Sequence, residues 1–122
     1  MLRNIIIIVI LLISNSKAYS VELLMINSKF CVYCKKFLYE VATDYKISKL
    51  PIIIIDDQER PKWFVRAYKE NKIKPYRGYP TFIIWDENEK YEIARIIGYR
   101  GKDRFYRELK DKLVNYVNGN KK

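Results

Sequence analysis

From Val21 onward the chain switches between two hydrophobic periodicities, and the order of those switches restricts its fold more than any other feature. Val21–Ile26, VELLMI, reads as a mostly buried strand. Cys34–Tyr45 places Phe37, Leu38, Val41 and Tyr45 at helical spacing. Pro51–Asp57, PIIIIDD, is a β-branched run that suits a central strand entered through proline. Pro61–Lys72 opens with proline, carries Trp63, Phe64, Ala67 and Tyr68, and reads as a helix. Thr81–Asp86 and Tyr91–Gly98 are strands separated by the charged turn ENEK. Phe105, Leu109, Leu113 and Tyr116 or Val117 mark a closing amphipathic helix. The order is β-α-β-α-β-β-α. The first two βα units predict parallel pairing with right-handed crossovers, and the last two strands predict a hairpin. An α/β fold follows, with a small mixed four-stranded sheet and helices on both faces.

The first twenty residues stand apart from this pattern. Met1-Leu2-Arg3 gives a positive start, Ile5–Ile13 is an unbroken apolar run, and SKA and AYS offer small residues for peptidase cleavage. This is the composition and order of a secretory signal, cleaved after Ala18 or Ser20. The rival is a retained membrane anchor, but spanning a bilayer takes roughly 20 apolar residues. A single domain over residues 21–122 remains, in the periplasm of the producing cell.

Setting aside Arg3 and Lys17 from the 24 bases of the whole chain leaves 22 bases against 14 acids, a net charge of +8. Bases and acids alternate in DQER, KENK and RELKDK, so the reading is a basic soluble surface with some attraction to acidic partners. Secretion and this interleaving argue against nucleic acid, and a monomer is expected.

The chain has two cysteines, Cys31 and Cys34, and no histidine. Their place is the junction of the first strand with the first helix. A helix N-terminus presents unpaired N–H groups and positive potential, which lower the pKa of a thiol there. Two intervening residues let the second sulfur approach the first one turn on. This arrangement suits reversible dithiol–disulfide exchange, in which Cys31 attacks and Cys34 resolves. Three alternatives stand beside it. A structural disulfide would close so short a loop that it constrains the unfolded chain little. Zinc needs about four ligands, which one chain with two cysteines and no histidine does not supply. Cu(I) needs only two thiolates, so a copper-binding or partner-binding module remains an alternative. No cofactor is implied by the exchange reading. Lys35 and Lys36 could lower the Cys31 pKa further, but they read equally as a solvated helix face and receive no catalytic role.

The second feature is Arg77–Asp86, RGYPTFIIWD. Pro80 directly before a strand is either an ordinary strand entry or a cis-proline. A cis Tyr79–Pro80 bond would turn the Tyr79 backbone outward, where a peptide could pair with it as an added strand.

The strand–CxxC–helix context, together with GYPTF opening the third strand, resembles the thioredoxin superfamily from about Val21 to Val117. Within it the chain is similar to the periplasmic thioredoxin-like proteins associated with bacterial sulfur-oxidation (Sox) systems, in ELLMINSKFCVYCKKF and in PTFIIWDENEKYEIARIIGYRGKDRFYRELKDKL. The resemblance implies Cys31 as nucleophile, Cys34 as resolving thiol and Pro80 as cis-proline. It also implies protein or small-thiol disulfides as substrates and, for a reductase, a membrane electron donor. Tyr33, Tyr76 and Tyr79 are expected around the sulfurs, with Tyr33 and Tyr79 beside Pro80 as substrate-gripping residues.

The departures bear on mechanism. Typical cytosolic thioredoxins carry Trp-Cys-Gly-Pro-Cys; this chain has FCVYC. The family's buried acid falls at Met25 and its lysine around Ile52, which leaves Glu22 and Asp56 as the nearest substitutes. Tyr33 stands where strong oxidants carry a histidine, and it lends the thiolate no positive charge. A less stabilised thiolate makes a better reductant. The expected activity is therefore a reductase or isomerase, with a potential nearer the roughly −270 mV of thioredoxin than the roughly −120 mV of DsbA.

Overall fold

A computed structural model describes residues 20–45 and 50–120. The proposed signal segment lies outside the described residues, except for Ser20. Four strands, β1 (Val21–Asn27), β2 (Ile52–Asp56), β3 (Thr81–Asp86) and β4 (Tyr91–Ile97), form one sheet in the order β2-β1-β3-β4. Three helices flank it: α1 (Val32–Glu40), α2 (Lys62–Lys69) and α3 (Lys102–Asn120). A 3-10 turn, Ala42–Asp44, follows α1.

β1 is buried from Leu23 to Ile26, and every residue of β3 is buried. Successive side chains of a strand point to opposite faces, so two central strands of this kind feed two cores. On one face Leu23, Met25, Phe82 and Ile84 meet Cys34, Phe37 and Val41, with Phe105 and Leu109 of α3. On the other, Leu24, Ile26, Ile83 and Trp85 meet Ile55, Phe64, Ala67 and Ile73. The first core is centred on Phe37, whose ring lies 4.6 Å from Phe82, 4.9 Å from Phe105 and 5.4 Å from Tyr99. Each fully buried aromatic or aliphatic side chain contributes roughly 1.5–3 kcal/mol relative to exposure.

Several sequence expectations are corrected. β2 is an edge strand, not a central one; Ile54 in the middle of its isoleucine run is 50% exposed. β2 runs parallel to β1, as the first crossover predicts, but β3 runs antiparallel to β1. The second unit is therefore not a parallel crossover. After α2 the chain returns along the sheet through residues 70–80 before β3 begins. The Lys72 carbonyl accepts from the Glu92 N–H, and the Arg95 guanidinium donates to the carbonyls of Lys74 and Pro75, both at 2.9 Å. α1 begins at Val32 and ends at Glu40, displaced from the expected Cys34–Tyr45. The β-branched Val41 and Thr43 coincide with its end, where Val41 still donates to Phe37 and the chain tightens into the 3-10 turn. α2 is shorter than Pro61–Lys72 suggested, with Pro61 as its cap. Of the two candidates for the last inward position of α3, Tyr116 packs inward and donates to Asp86, while Val117 is exposed.

Candidate redox site

β1 ends at Asn27 and α1 begins at Val32, so residues 28–31 form the elbow between a buried strand and a helix. The Cys31 N–H donates to Ser28 O at 3.2 Å, closing a turn that sets Cys31 in an extended conformation (φ −88°, ψ 109°). Cys31 is thereby the N-cap of α1. Its Sγ accepts the Cys34 N–H at 3.0 Å, and its carbonyl accepts the Lys35 N–H. The cap position ordinarily takes an oxygen-bearing side chain that accepts from the first turn; here a sulfur does so.

The two cysteines are joined as a disulfide, with a Cα–Cα separation of 5.2 Å. The sulfurs are unequal. Cys34 is completely buried beside Phe37 and Met25, whereas Cys31 is part-exposed. Phe30 (85% exposed), Val32 and Tyr33 form an apolar rim around it. An incoming sulfur reaches Cys31 and not Cys34. Exchange requires a nearly linear approach to the attacked sulfur, and of the two cysteines Cys31 is the one part-open to solvent.

Pro80 opens β3 on the neighbouring strand. The Tyr79–Pro80 bond is cis. The Pro80 carbonyl accepts from Gly98 N–H at 2.8 Å, and Thr81 Oγ1 donates to Gly78 O at 3.0 Å. The Tyr79 N–H and carbonyl have no hydrogen-bond partner among the described residues. Tyr79 packs against the same core cluster as Cys31.

The tyrosine cluster forms only in part, and around a carboxylate the sequence reading passed over. The Tyr76 and Tyr79 rings meet edge-to-face with centroids 6.5 Å apart, and both phenols donate to Asp57, Tyr76 to Oδ1 at 2.6 Å and Tyr79 to Oδ2. Burial first, then the Asp57 carboxylate, push the Tyr76 pKa above its ordinary value; Arg60 acts in the opposite sense. For Tyr79 the Asp57 hydrogen bond is the leading cause of a rise. Asp57 in turn donates its N–H to Asn27 O at 2.9 Å, which ties the cluster to the end of β1. Tyr33 stands apart at the rim and makes no ring contact among the described residues.

Asp57 could have been found by periodicity. Ile53 and Ile55 face the second core, and residue 57 continues that alternation toward Tyr76. Neither acid named as a proton-handling substitute reaches the cysteines. Asp56 is exposed and caps Gln58, at 3.0 Å. Glu22 opens β1 at the opposite end of the sheet, where burial and Glu87 raise its pKa and Lys90 lowers it. The buried polar or charged side chains among the described residues are Thr81 and Asp86, and Asp86 closes β3 away from Pro80. No buried carboxylate therefore adjoins Cys34 among them. Nor do they bring three or more His, Cys, Asp or Glu together to hold a metal.

A family model described as a thioredoxin-like domain matches residues 13–113. The chain belongs to that thioredoxin-like family. With its paired Cys31 and Cys34, this thioredoxin-like protein is a thiol–disulfide oxidoreductase. Among solved structures it is similar to the reduced periplasmic thioredoxin SoxS from Paracoccus pantotrophus, with 22% identity, 80% of this chain and 98% of that one covered, and a TM-score of 0.57. A point-mutant thioredoxin from Halobacterium salinarum NRC-1 shares 20% identity over 80% and 75% of the two chains, with a TM-score of 0.55. The DsbH oxidoreductase shares 17% identity over 78% and 73%, with a TM-score of 0.56. These likenesses concern the fold. No curated protein matches the chain.

Proposed function

We propose that this protein works outside the cytoplasm as a reductase or isomerase of protein disulfides, with Cys31 as nucleophile and Cys34 as resolving thiol. The observation that carries the reading is the asymmetry of the pair: a part-exposed sulfur capping α1 and a buried sulfur one turn on. In the reduced protein the Cys31 thiolate attacks one sulfur of a substrate disulfide. That S–S bond breaks, the distal substrate sulfur leaves as a thiolate, and a mixed disulfide forms. Cys34 then attacks Cys31 Sγ and releases the second substrate sulfur. With no buried carboxylate beside Cys34 among the described residues, the departing substrate thiolate is the base at hand for its proton. Two electrons and the Cys34 proton pass to the substrate, the second substrate thiolate takes its proton from solvent, and an external dithiol donor, membrane-borne in this reading, returns the electrons.

Thiolate stabilisation comes from the helix terminus and the Cys34 N–H, without an imidazolium between the cysteines. That moderate stabilisation favours a reducing potential. The free peptide groups of Tyr79, beside Pro80, fit an extended substrate strand running past Cys31, and Tyr33 on the rim adds apolar contact to it. Export rests on the positive start and apolar run of residues 1–20, cleaved after Ala18 or Ser20 to leave 102 to 104 residues. It is supported by the periplasmic description of the Paracoccus structure. No helix among the described residues is long and apolar enough to cross a membrane.

Equilibration with glutathione buffers, followed by mass analysis of trapped thiols, measures the potential. A midpoint close to that of thioredoxin supports the reductase reading; one at the oxidising end makes the protein a disulfide donor. Insulin reduction with a dithiol tests exchange itself. Stoichiometric Cu(I) binding without any exchange would favour a metal-binding module instead.

A further inference from the structure

Charge along the chain is interleaved, yet the fold separates it at the cysteine end. Three adjacent strands deliver the segments that frame the disulfide: residues 28–36 after β1, 76–80 before β3 and 98–101 after β4. These segments contain Lys29, Lys35, Lys36, Arg77 and Arg100, and neither Asp nor Glu. All five are exposed. None forms an ion pair among the described residues. Gly98 is fixed to Pro80 by its 2.8 Å hydrogen bond, and Tyr79 packs against the cluster that holds Cys31, so the segments form one rim. Elsewhere three bases pair with acids, Arg95 with Glu92, Arg104 with Glu108 and Lys90 with Glu87, and others, such as Lys69, Lys110 and Lys112, have an acid beside them in the chain, so what sets the rim apart is the lack of acids within its segments. The nearest acids stand outside these segments: Glu40 accepts the Tyr99 hydroxyl, Asp103 lies in the first turn of α3, and Asp57, after the edge strand β2, is held by two phenols.

We infer that the rim selects protein disulfides flanked by acidic residues. This rests on the exchange chemistry proposed above and names the substrate class for it. Unpaired cations around a reactive group raise the encounter rate with anionic partners and suppress cationic ones. Their spread over three segments suits an extended chain with several carboxylates better than one small anion. The exposed Phe30 and Val32 and the unpaired Tyr79 peptide supply chain contacts between the charges.

The test uses the reduced, purified protein and three cystine peptides that differ only in their flanking residues, aspartates, serines or lysines. Second-order rates are measured by stopped flow at low and at physiological salt. The expected order is acidic, then neutral, then basic. The acidic and neutral peptides should differ by about tenfold at low salt, and the gap should narrow as salt screens the rim. The ratio of acidic to neutral rates should fall in the double variant Arg77→Gln, Arg100→Gln, a readout internal to each protein preparation. Equal rates for the three peptides, or an unchanged ratio in the variant, overturn the inference. Glutathione disulfide reacting as fast as the acidic peptide would assign the rim to small anions and also overturn it. Failure to react with any disulfide strikes instead at the exchange function itself.

Discussion

At the end of the sheet away from the cysteines, polar groups are closed on one another. Asp86 accepts from the N–H groups of Asn88 and Glu89 at 3.0 and 2.9 Å and from the Tyr116 hydroxyl at 2.9 Å. Trp85 donates to Glu87, Glu87 pairs with Lys90, and the Glu87 N–H binds Ser20 O. At the cysteine end the opposite holds. A sulfur is part-exposed, apolar side chains stand in solvent, a peptide unit lacks partners among the described residues, and five cations are without ion pairs there. The same sheet carries both ends, so the difference is not one of fold. Groups that must meet a partner are left unsatisfied by the chain itself, and groups that hold the hairpin and α3 in place are satisfied internally.

The largest test of this contrast removes the open end's chemistry. Cys31→Ser should lose insulin reduction entirely, and Cys34→Ser should accumulate a mixed disulfide visible by non-reducing mass spectrometry. Serine is itself a good helix cap, so Cys31→Ser should change the stability of the reduced protein by less than about 1 kcal/mol in urea titration. The closed end should answer in reverse. Asp86→Ala removes the acceptor of three part-buried hydrogen bonds and should cost about 1–3 kcal/mol, while the exchange rate of the folded fraction stays within about twofold of the parent. A large loss of exchange in that variant would break the division between the two ends.

Asp57 tests the boundary between them. Asp57→Ala should destabilise by about 1–2 kcal/mol, because two phenols lose their acceptor. It should slow exchange with a peptide disulfide severalfold and leave hydroxyethyl disulfide little affected. Equal slowing of both substrates would give Asp57 a role in the chemistry rather than in positioning Tyr79.

The smallest effect is pH dependence. Burial pushes Tyr45 up to about 12, and Tyr76, Tyr79, Tyr99 and Tyr106 are also raised. In the unfolded chain these phenols ionise near 10. Each raised phenol therefore contributes stability fully present below about pH 10 and lost as pH rises through its folded value. Denaturation midpoints should be flat from about pH 8 to 9.5 and fall beyond it. A midpoint rising above about pH 10 would contradict the assigned burial.

The alternation of periodicities made the element order and the two-sided core legible in advance, because those depend on side chains facing every second or every fourth position. The cysteine elbow was legible for the same reason. The direction of β3 was not. It depends on residues 70–80, a stretch without periodicity whose path is set by contacts with Glu92 and Arg95 far along the chain. The isoleucine run of β2 suggested a central strand because hydrophobicity alone does not distinguish burial on both sides from an edge. Of the three tyrosines expected around the sulfurs, Tyr76 and Tyr79 gather instead on Asp57, an acceptor that the alternation of β2 points to once Ile53 and Ile55 are known to face the second core.

One atom of this site belongs to two structures at once. Cys31 Sγ is a bonded atom of the disulfide and also the acceptor that caps α1. Reduction turns that acceptor into a thiolate, to which an N–H bonds more strongly. Oxidation and unfolding are then two edges of one thermodynamic square. Whatever the folded chain does to favour dithiol over disulfide must reappear as a difference in unfolding free energy between the two forms. The poise of the protein toward its substrates is thus readable without any substrate, from two denaturation curves and the potential of the unfolded chain.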